Sequence, residues 1–313
     1  MLHTAIVFPG QGSQKVGMGK DLFDNFAVAK EVFQIVDEIL KVNLSKIMFE
    51  GPEADLTQTQ NTQPALMAVS IALVRVLEKE FGKKITDLGS MVAGHSLGEY
   101  SALCAAGALS LEDTAKLLQV RGNAMAKCGA KTQGAMAAVI GAEPELVEEI
   151  AKAAAQNNEI CQIANDNSVG QIVISGSKTG VDRAIEIAKE KGVKRVLPLP
   201  VSGAFHSALM ADAAIEMKEA LDKVTINQPI LPVIANVTAN QVTNPAEIKD
   251  LLVKQITGSV KWRQTMLFMQ NAGIKNIVEI GSGKVLAGLV GRTCAEITSQ
   301  SIQNLEDLKN FAA

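Results

Sequence analysis

The chain has 313 residues against a usual domain of about 150, so two domains or one large domain with an insertion are expected, with ample hydrophobic core. At 47% hydrophobic and 20% charged residues, with a net charge of −3, it is too apolar to be disordered. Thirty Lys+Arg against 33 Asp+Glu, with one Trp, one Tyr and nine Phe, leave neither a basic excess nor stacking platforms, which excludes nucleic acid as a partner.

In chain order, the pattern predicts a strand over Thr4–Phe8, helices over Asp24–Leu40 and Gln63–Phe81, a strand over Ser90–Ala93 and a helix from Glu99 onward. Such alternation indicates an α/β class with a mainly parallel sheet. A second helix opens on Ser110-x-x-Asp113, a capping-box pattern. Between Gly129 and Pro200 the order changes to strand Ala135–Ile140, helix Pro144–Gln156, strand Ile160–Asn165, strand Gln171–Gly176, helix Gly180–Lys191 and strand Val193–Leu199. That βαββαβ order is the ferredoxin-like unit. Strands at Leu231–Ala235 and Lys275–Ile280 and a helix at Ala246–Ile256 then resume the first pattern. A small domain at 129–200 is therefore expected to interrupt a larger one formed by 1–128 and 201–313.

The start, MLHTAIVFPGQGSQ, carries neither the basic lead nor the apolar core of an export signal. The longest apolar run, Met67 to Leu77, is broken by Ser70 and Arg75 and falls short of the roughly 18 residues a membrane span requires, so no membrane partner is expected. Cys104, Cys128, Cys161 and Cys294 are far apart, with no Cys-x-x-Cys and no histidine at ligand spacing. They read as reduced thiols of a cytoplasmic protein that binds no metal.

The sharpest motif is Gly94-His95-Ser96-Leu97-Gly98, a G-x-S-x-G sequence placed between a short strand and a helix. There the glycines permit a strained turn that exposes the Ser96 hydroxyl, and the Leu97 N–H points to where an oxyanion would form. Without that context the pattern is only a turn. A nucleophilic serine needs a base, and the histidines are His3, His95 and His206. His3 precedes the first strand and His95 adjoins the serine, so His206, in the small-residue loop Gly203-Ala204-Phe205-His206-Ser207, is the candidate.

Arg121 lies on an apolar helical face with Leu118 and Met125, where its charge needs either an internal acid, a path to the rim, or a ligand carboxylate. Gly10-Gln11-Gly12-Ser13-Gln14 is not a dinucleotide fingerprint, because Lys15 stands at the third glycine position. A loop after an early strand is where a second oxyanion N–H originates, which makes Gln11 a candidate. Gln255 falls on the apolar face of the helix begun by Asn244-Pro245, and its amide must brace either a neighbouring backbone or the His206 region.

Taken together, FPGQGSQ near the start, TQPAL at 62–66, GHSLGEYSAL at 94–103, QVRGNAM around Arg121, GQIVISG at 170–176, GAFHSALM at 203–210, Gln255 and EIGSGKVL at 279–286 resemble the malonyl-CoA:acyl carrier protein transacylase family across essentially the whole chain. The resemblance implies an α/β-hydrolase-like core with the ferredoxin-like insertion, and a Ser96–His206 dyad that carries malonyl from malonyl-CoA to the phosphopantetheine thiol of acyl carrier protein for fatty acid synthesis. It further implies an oxyanion hole from the Gln11 and Leu97 amides, an Arg121 clamp on the malonyl carboxylate, and support of His206 by Gln255. Coenzyme A enters as substrate, and no resident cofactor is implied. Ser282, Val169 and Thr257-Gly258-Ser259 depart from the prolines usual in the family, which bears on loop rigidity.

Other classes fit less well. A serine hydrolase of the α/β type would place its histidine near the C-terminus, and none follows His206. A polyketide-type acyltransferase acting in trans shares every motif, and a non-catalytic scaffold would have no need of Ser96, His206 and Arg121 together. Lys189, Lys191, Lys194 and Arg195 form a cationic cluster that could meet an acidic carrier or simply suit a helix C-terminus.

Overall fold

Short aliphatic runs bounded by Gly, Pro and Asn become strands in the computed structural model, which describes residues 3–201 and 203–312. In chain order these are β1 (Thr4–Phe8), β2 (Met91–Gly94), β3 (Gly134–Ile140), β4 (Cys161–Ser168), β5 (Gln171–Ser177), β6 (Arg195–Pro198), β7 (Val233–Ile234), β8 (Gln241–Val242), β9 (Asn276–Ile280) and β10 (Thr298–Ile302). They form two sheets. The larger runs β10-β9-β1-β2-β7-β8 and is parallel except for β8. The smaller runs β4-β5-β3-β6 and is antiparallel. The class is mixed α/β with a mainly parallel main sheet.

A central parallel strand is buried on both faces, and β1 satisfies both. Ile6 and Phe8 join the core under the helix Thr59–Phe81, while Ala5 and Val7 pack with Trp262, Met266 and Leu289 on the other side. The Thr59–Phe81 helix contains the Met67–Leu77 run and is apolar on nearly every side because it is enclosed on nearly every side. It starts one turn earlier than the predicted Gln63, since Pro64 near a helix start removes only one intrahelical bond. Among the described residues no helix is long and apolar enough to cross a membrane.

The predicted helix over Asp24–Leu40 is two, Lys20–Asn25 and Ala27–Leu40, separated by Phe26 in an extended conformation. In the small sheet, Ala137, Val139, Ile172 and Ile174 pack on the helices Pro144–Ala154 and Lys178–Glu190. The opposite face, with Met136, Ala138 and Val173, merges with the core of the larger unit. β4 runs past the predicted Asn165 through two register shifts to pair Ser168 with Gln171 of β5, and between those shifts its other edge bonds to the Val260 segment. The Val260 amide donates to the Ala164 carbonyl at 2.8 Å and the Asp166 amide to the Val260 carbonyl at 2.9 Å. Arg263 and Gln264 then grip the Asp166 carboxylate. The C-terminal ends of β1, β2, β7 and β9, where parallel sheets collect their sites, open toward this junction.

Candidate active site

β2 ends at Gly94, and the helix Gly98–Ala105 begins after three residues. Ser96 at the apex has φ of 54°, a left-handed conformation that costs a non-glycine residue about 1 kcal/mol or more. Surrounding contacts enforce it. A side-chain carbon on Gly94 would overlap the Gly98 carbonyl, and one on Gly98 would overlap the Phe8 carbonyl, so the turn closes only with glycine at both places. The Ser96 amide donates to Asn236 Oδ1 at 2.7 Å, and Asn236 Nδ2 donates to the Gly94 carbonyl at 2.7 Å. Asn236 follows β7 and staples the turn from outside it.

Ser96 Oγ lies 2.7 Å from His206 Nε2, and His206 Nδ1 lies 2.9 Å from the main-chain carbonyl of Gln255. A carbonyl only accepts, so Nδ1 carries the proton and Nε2 is left as acceptor for the serine hydroxyl. His206 is buried, and burial, aided by the Arg121 charge, pushes its pKa down to about 3. At neutral pH it is an uncharged base. His95 points elsewhere: its Nε2 lies 2.8 Å from Asn167 Oδ1 and its ring is tilted against Trp262.

Arg121 is 1% exposed and reaches the same place from the helix Leu111–Lys131. Its Nη1 donates to Gln63 Oε1 at 2.7 Å, and its Nη2 to Gln255 Oε1 at 2.9 Å and Ser96 Oγ at 3.1 Å. The Tyr100 ring centroid lies 5.7 Å from its guanidinium carbon. Its Nε has no partner, and no carboxylate pairs with it among the described residues. Burial lowers its pKa, which the charges of Tyr100 and Glu99 oppose.

Gln11 and Leu97 line a cavity of about 140 Å³ together with Ser96, Arg121 and His206, with Met125, Met136 and Phe205 as its apolar wall. Gly10 makes the approach possible, since a side-chain carbon there would lie 2.7 Å from the His95 carbonyl. A second cavity of about 250 Å³ shares Gln11, His95, Asn165 and Leu199 with the first and extends between the two sheets to Asn167 and Leu286. A separate cavity of about 210 Å³ beside Ile71, Arg75 and Cys104 contains no comparable pair, and burial pushes the Cys104 thiol up to about 11.

Gln255 is completely buried, and it is the main chain that meets His206. Its side chain instead bridges Arg121 and the Glu99 carboxylate, donating from Nε2 to Glu99 Oε2 at 2.8 Å and to the Ser96 carbonyl at 2.9 Å. Sequence reasoning assigned no role to Gln63, Glu99 or Asn236, all of which enter this network. Glu99 left a signal, a charge inside the otherwise small and apolar helix Gly98–Ala105. Gln63 left a weaker one beside Pro64, and Asn236 left none.

At the departures from the family pattern, Ser282 is buried and its hydroxyl donates to the Ser13 carbonyl at 2.8 Å, tying its turn to the Gly10–Gln14 loop. Lys189 and Lys191 are paired with Glu186 and Glu149, leaving Lys194 and Arg195 as the unpaired cations of their cluster among the described residues.

The acyl transferase domain family matches residues 5–309. The chain belongs to this family. Other acyl transferase family proteins resemble it over their full length. The malonyl CoA-acyl carrier protein transacylase of Bacillus subtilis (strain 168) is 43% identical over 99% of this chain and 96% of its own. The crystal structure of an acyl-carrier-protein S-malonyltransferase from Bartonella henselae superposes with a TM-score of 0.95 at 50% identity, covering 99% of this chain and 98% of that one. A malonyl-transacylase in complex with its type II PKS acyl-carrier protein superposes at 0.93 with 37% identity, covering 98% of each chain.

Proposed function

We propose that this acyl transferase moves a malonyl group from malonyl-CoA to the phosphopantetheine thiol of acyl carrier protein through a malonyl ester on Ser96, the extender-unit step of fatty acid synthesis. The observation that carries the reading is Arg121, a buried guanidinium with a free Nε and, among the described residues, no acid in direct contact, beside the nucleophile on the wall of the cavity. A free carboxylate on the acyl group supplies what that cation lacks.

In the first half-reaction Ser96 Oγ attacks the thioester carbonyl while its proton passes to His206 Nε2. The negative charge that develops on the carbonyl oxygen is met by the Gln11 and Leu97 amides, neither of which donates to a protein acceptor among the described residues. Collapse of the tetrahedral adduct breaks the carbon–sulfur bond, and the proton on His206 goes to the departing coenzyme A sulfur. The second half-reaction runs in reverse: the carrier thiol gives its proton to His206, attacks the ester, and Ser96 recovers its proton. The Gln255 carbonyl holds the imidazole in the required tautomer, and it also favours the transient imidazolium, in place of a triad acid. Gln63 and the Gln255 amide set the guanidinium plane from the side away from substrate. The 250 Å³ cavity offers the thiol arm of either substrate a path to Ser96.

In the same reading no resident cofactor is used, coenzyme A being part of the substrate. Lys194 and Arg195 are the cations left to an acidic carrier. The strand order of the small sheet supports a ferredoxin-like insertion of about 129–200 into an α/β-hydrolase-like core formed by the rest of the chain. Four buried, unpaired cysteines fit the cytoplasm.

Intact-protein mass after brief exposure to equal malonyl-CoA and acetyl-CoA tests the reading. One malonyl adduct, discharged by added carrier protein, is the expected result. Steady release of free coenzyme A without an adduct would make the protein a hydrolase, and a dominant acetyl adduct would remove the role given to Arg121.

A further inference from the structure

Arg121 touches two amides, a hydroxyl and an aromatic face, and none of them carries charge. A guanidinium withdrawn from water still requires a countercharge. The carboxyl whose charge bears on it is Glu99, three residues past the nucleophile and 2% exposed. Glu99 Oε2 accepts from Gln255 Nε2 at 2.8 Å and from the Asn236 amide at 3.0 Å. A carboxylate only accepts, so Glu99 obliges Gln255 to turn its Nε2 inward and its Oε1 toward Arg121. Asn236, held by the same oxygen, is the residue that fixes the Ser96 amide.

We infer that Glu99 is a specificity-determining positioning residue, the resident countercharge of Arg121 relayed through the Gln255 amide, against which a substrate carboxylate must compete. This rests on the clamp reading of Arg121. Once a malonyl carboxylate reaches the guanidinium from the cavity side, two anions act on one buried cation and repel each other, so malonyl binding favours the protonated form of Glu99.

The charged and titratable groups around Glu99 are Arg121, from the helix packed against it, and Tyr100 on its own helix, while Gln255 and Asn236 are uncharged. Burial raises the Tyr100 phenol far above neutrality, and both His206 and His95 are pressed toward the neutral form. Burial also pushes the Glu99 carboxyl up to about 7, which leaves it as the group of this network that changes charge near neutral pH. Below that pH Glu99 is neutral and Arg121 is fully available to substrate; above it the Glu99 anion opposes a second carboxylate.

The test is the ratio of malonyl to acetyl kcat/KM from about pH 6 to about pH 9, measured on the wild-type chain, Glu99→Gln and Arg121→Ala. Taking the ratio cancels titrations common to both substrates, such as those of His206 and the coenzyme A thiol. In the wild type the ratio should fall on the order of tenfold as pH rises, through the malonyl KM rather than kcat. In Glu99→Gln it should be independent of pH. A flat wild-type ratio, or a wild-type slope retained in Glu99→Gln, overturns the inference while leaving the clamp in place, provided Arg121→Ala has lost the malonyl preference. If Arg121→Ala keeps that preference, the clamp fails and the inference with it. Should Glu99→Gln not melt cooperatively, the wild-type profile decides alone: a fall supports the assignment and a flat line rejects it.

Discussion

Among the described residues six non-glycine positions have positive φ; Asn157, Asn158 and His206 are of kinds that tolerate it, and Lys41, Ser96 and Ala239 are not. Ser96 and His206 face each other across one hydrogen bond, so two of the six stand where the chemistry is assigned, and the serine's is the strained one of that pair. Removing the hydroxyl in Ser96→Ala relieves none of that backbone strain and should leave stability within about 1 kcal/mol while abolishing the acyl adduct, read by melting and intact mass. Arg121→Ala should lower malonyl transfer about a hundredfold more than acetyl transfer, the equivalent of about 3 kcal/mol for a charge-assisted pair. Paired kcat/KM measurements check it, and an equal loss for both acyl groups would exclude the clamp. Both residues were visible in the sequence because their chemistry is local: a serine between two glycines, a cation among leucine and methionine. Glu99 and Asn236 act through partners more than 130 residues away, which no local pattern records.

The elbow is a strand–turn–helix unit whose closeness is enforced from a second strand. A methyl group at position 98 meets the Phe8 carbonyl at the end of β1, a backbone atom that cannot step aside. Gly98→Ala is therefore expected to cost about 2 kcal/mol or more and to slow acylation with it, measured by denaturant unfolding and by adduct formation rate. On the neighbouring strand β9, in register with Val7 of β1, Glu279 is fully buried and accepts from the Ala287 amide at 2.8 Å, in the first turn of the helix Val285–Thr293. Burial pushes its carboxyl up to about 7. The unfolded side chain ionises near 4.5, so the folded state holds more protons between 4.5 and 7 and this contribution is lost as pH rises through that window. Glu279→Gln should gain stability relative to wild type between about pH 5 and about pH 8, by several degrees of Tm. A Tm difference that does not change with pH would show that Glu279 is not protonated in the folded chain. β8 and β10 escaped sequence reasoning because they are edge strands: Gln241, Thr298, Ser299 and Gln300 are exposed and carry no apolar alternation.

Between the two sheets, Arg263 closes a bidentate pair on Asp166 at 2.8 to 3.0 Å, with Gln264 as third donor. Asp166 is 5% exposed, so removing its cation strands a buried anion at the junction that also aligns Asn165 and Asn167 with the cavities. Arg263→Ala is expected to cost about 2 kcal/mol and to speed amide exchange in β4 before the main sheet, which exchange mass spectrometry resolves. Exchange that rises uniformly would mean the sheets open as one unit. His206 adds the opposite pH slope to Glu279. Its folded form stays neutral to about 3 while the unfolded side chain protonates near 6.5, so its contribution is complete above 6.5 and lost as pH falls toward 3.

At this largest scale the origins of each feature separate. Periodicity alone determined the α/β class and the βαββαβ order of 129–200, because burial period and turn residues are properties of neighbouring positions. Composition and motif spacing likewise marked Ser96, His206 and Arg121. Tertiary structure decided which strands pair, that β4 crosses to the Val260 segment, and that Gln255 offers its carbonyl to His206 and its amide to Arg121 and Glu99. Those choices depend on which buried donor finds which acceptor once the chain is closed, and the partners come together only when distant segments share one desolvated space.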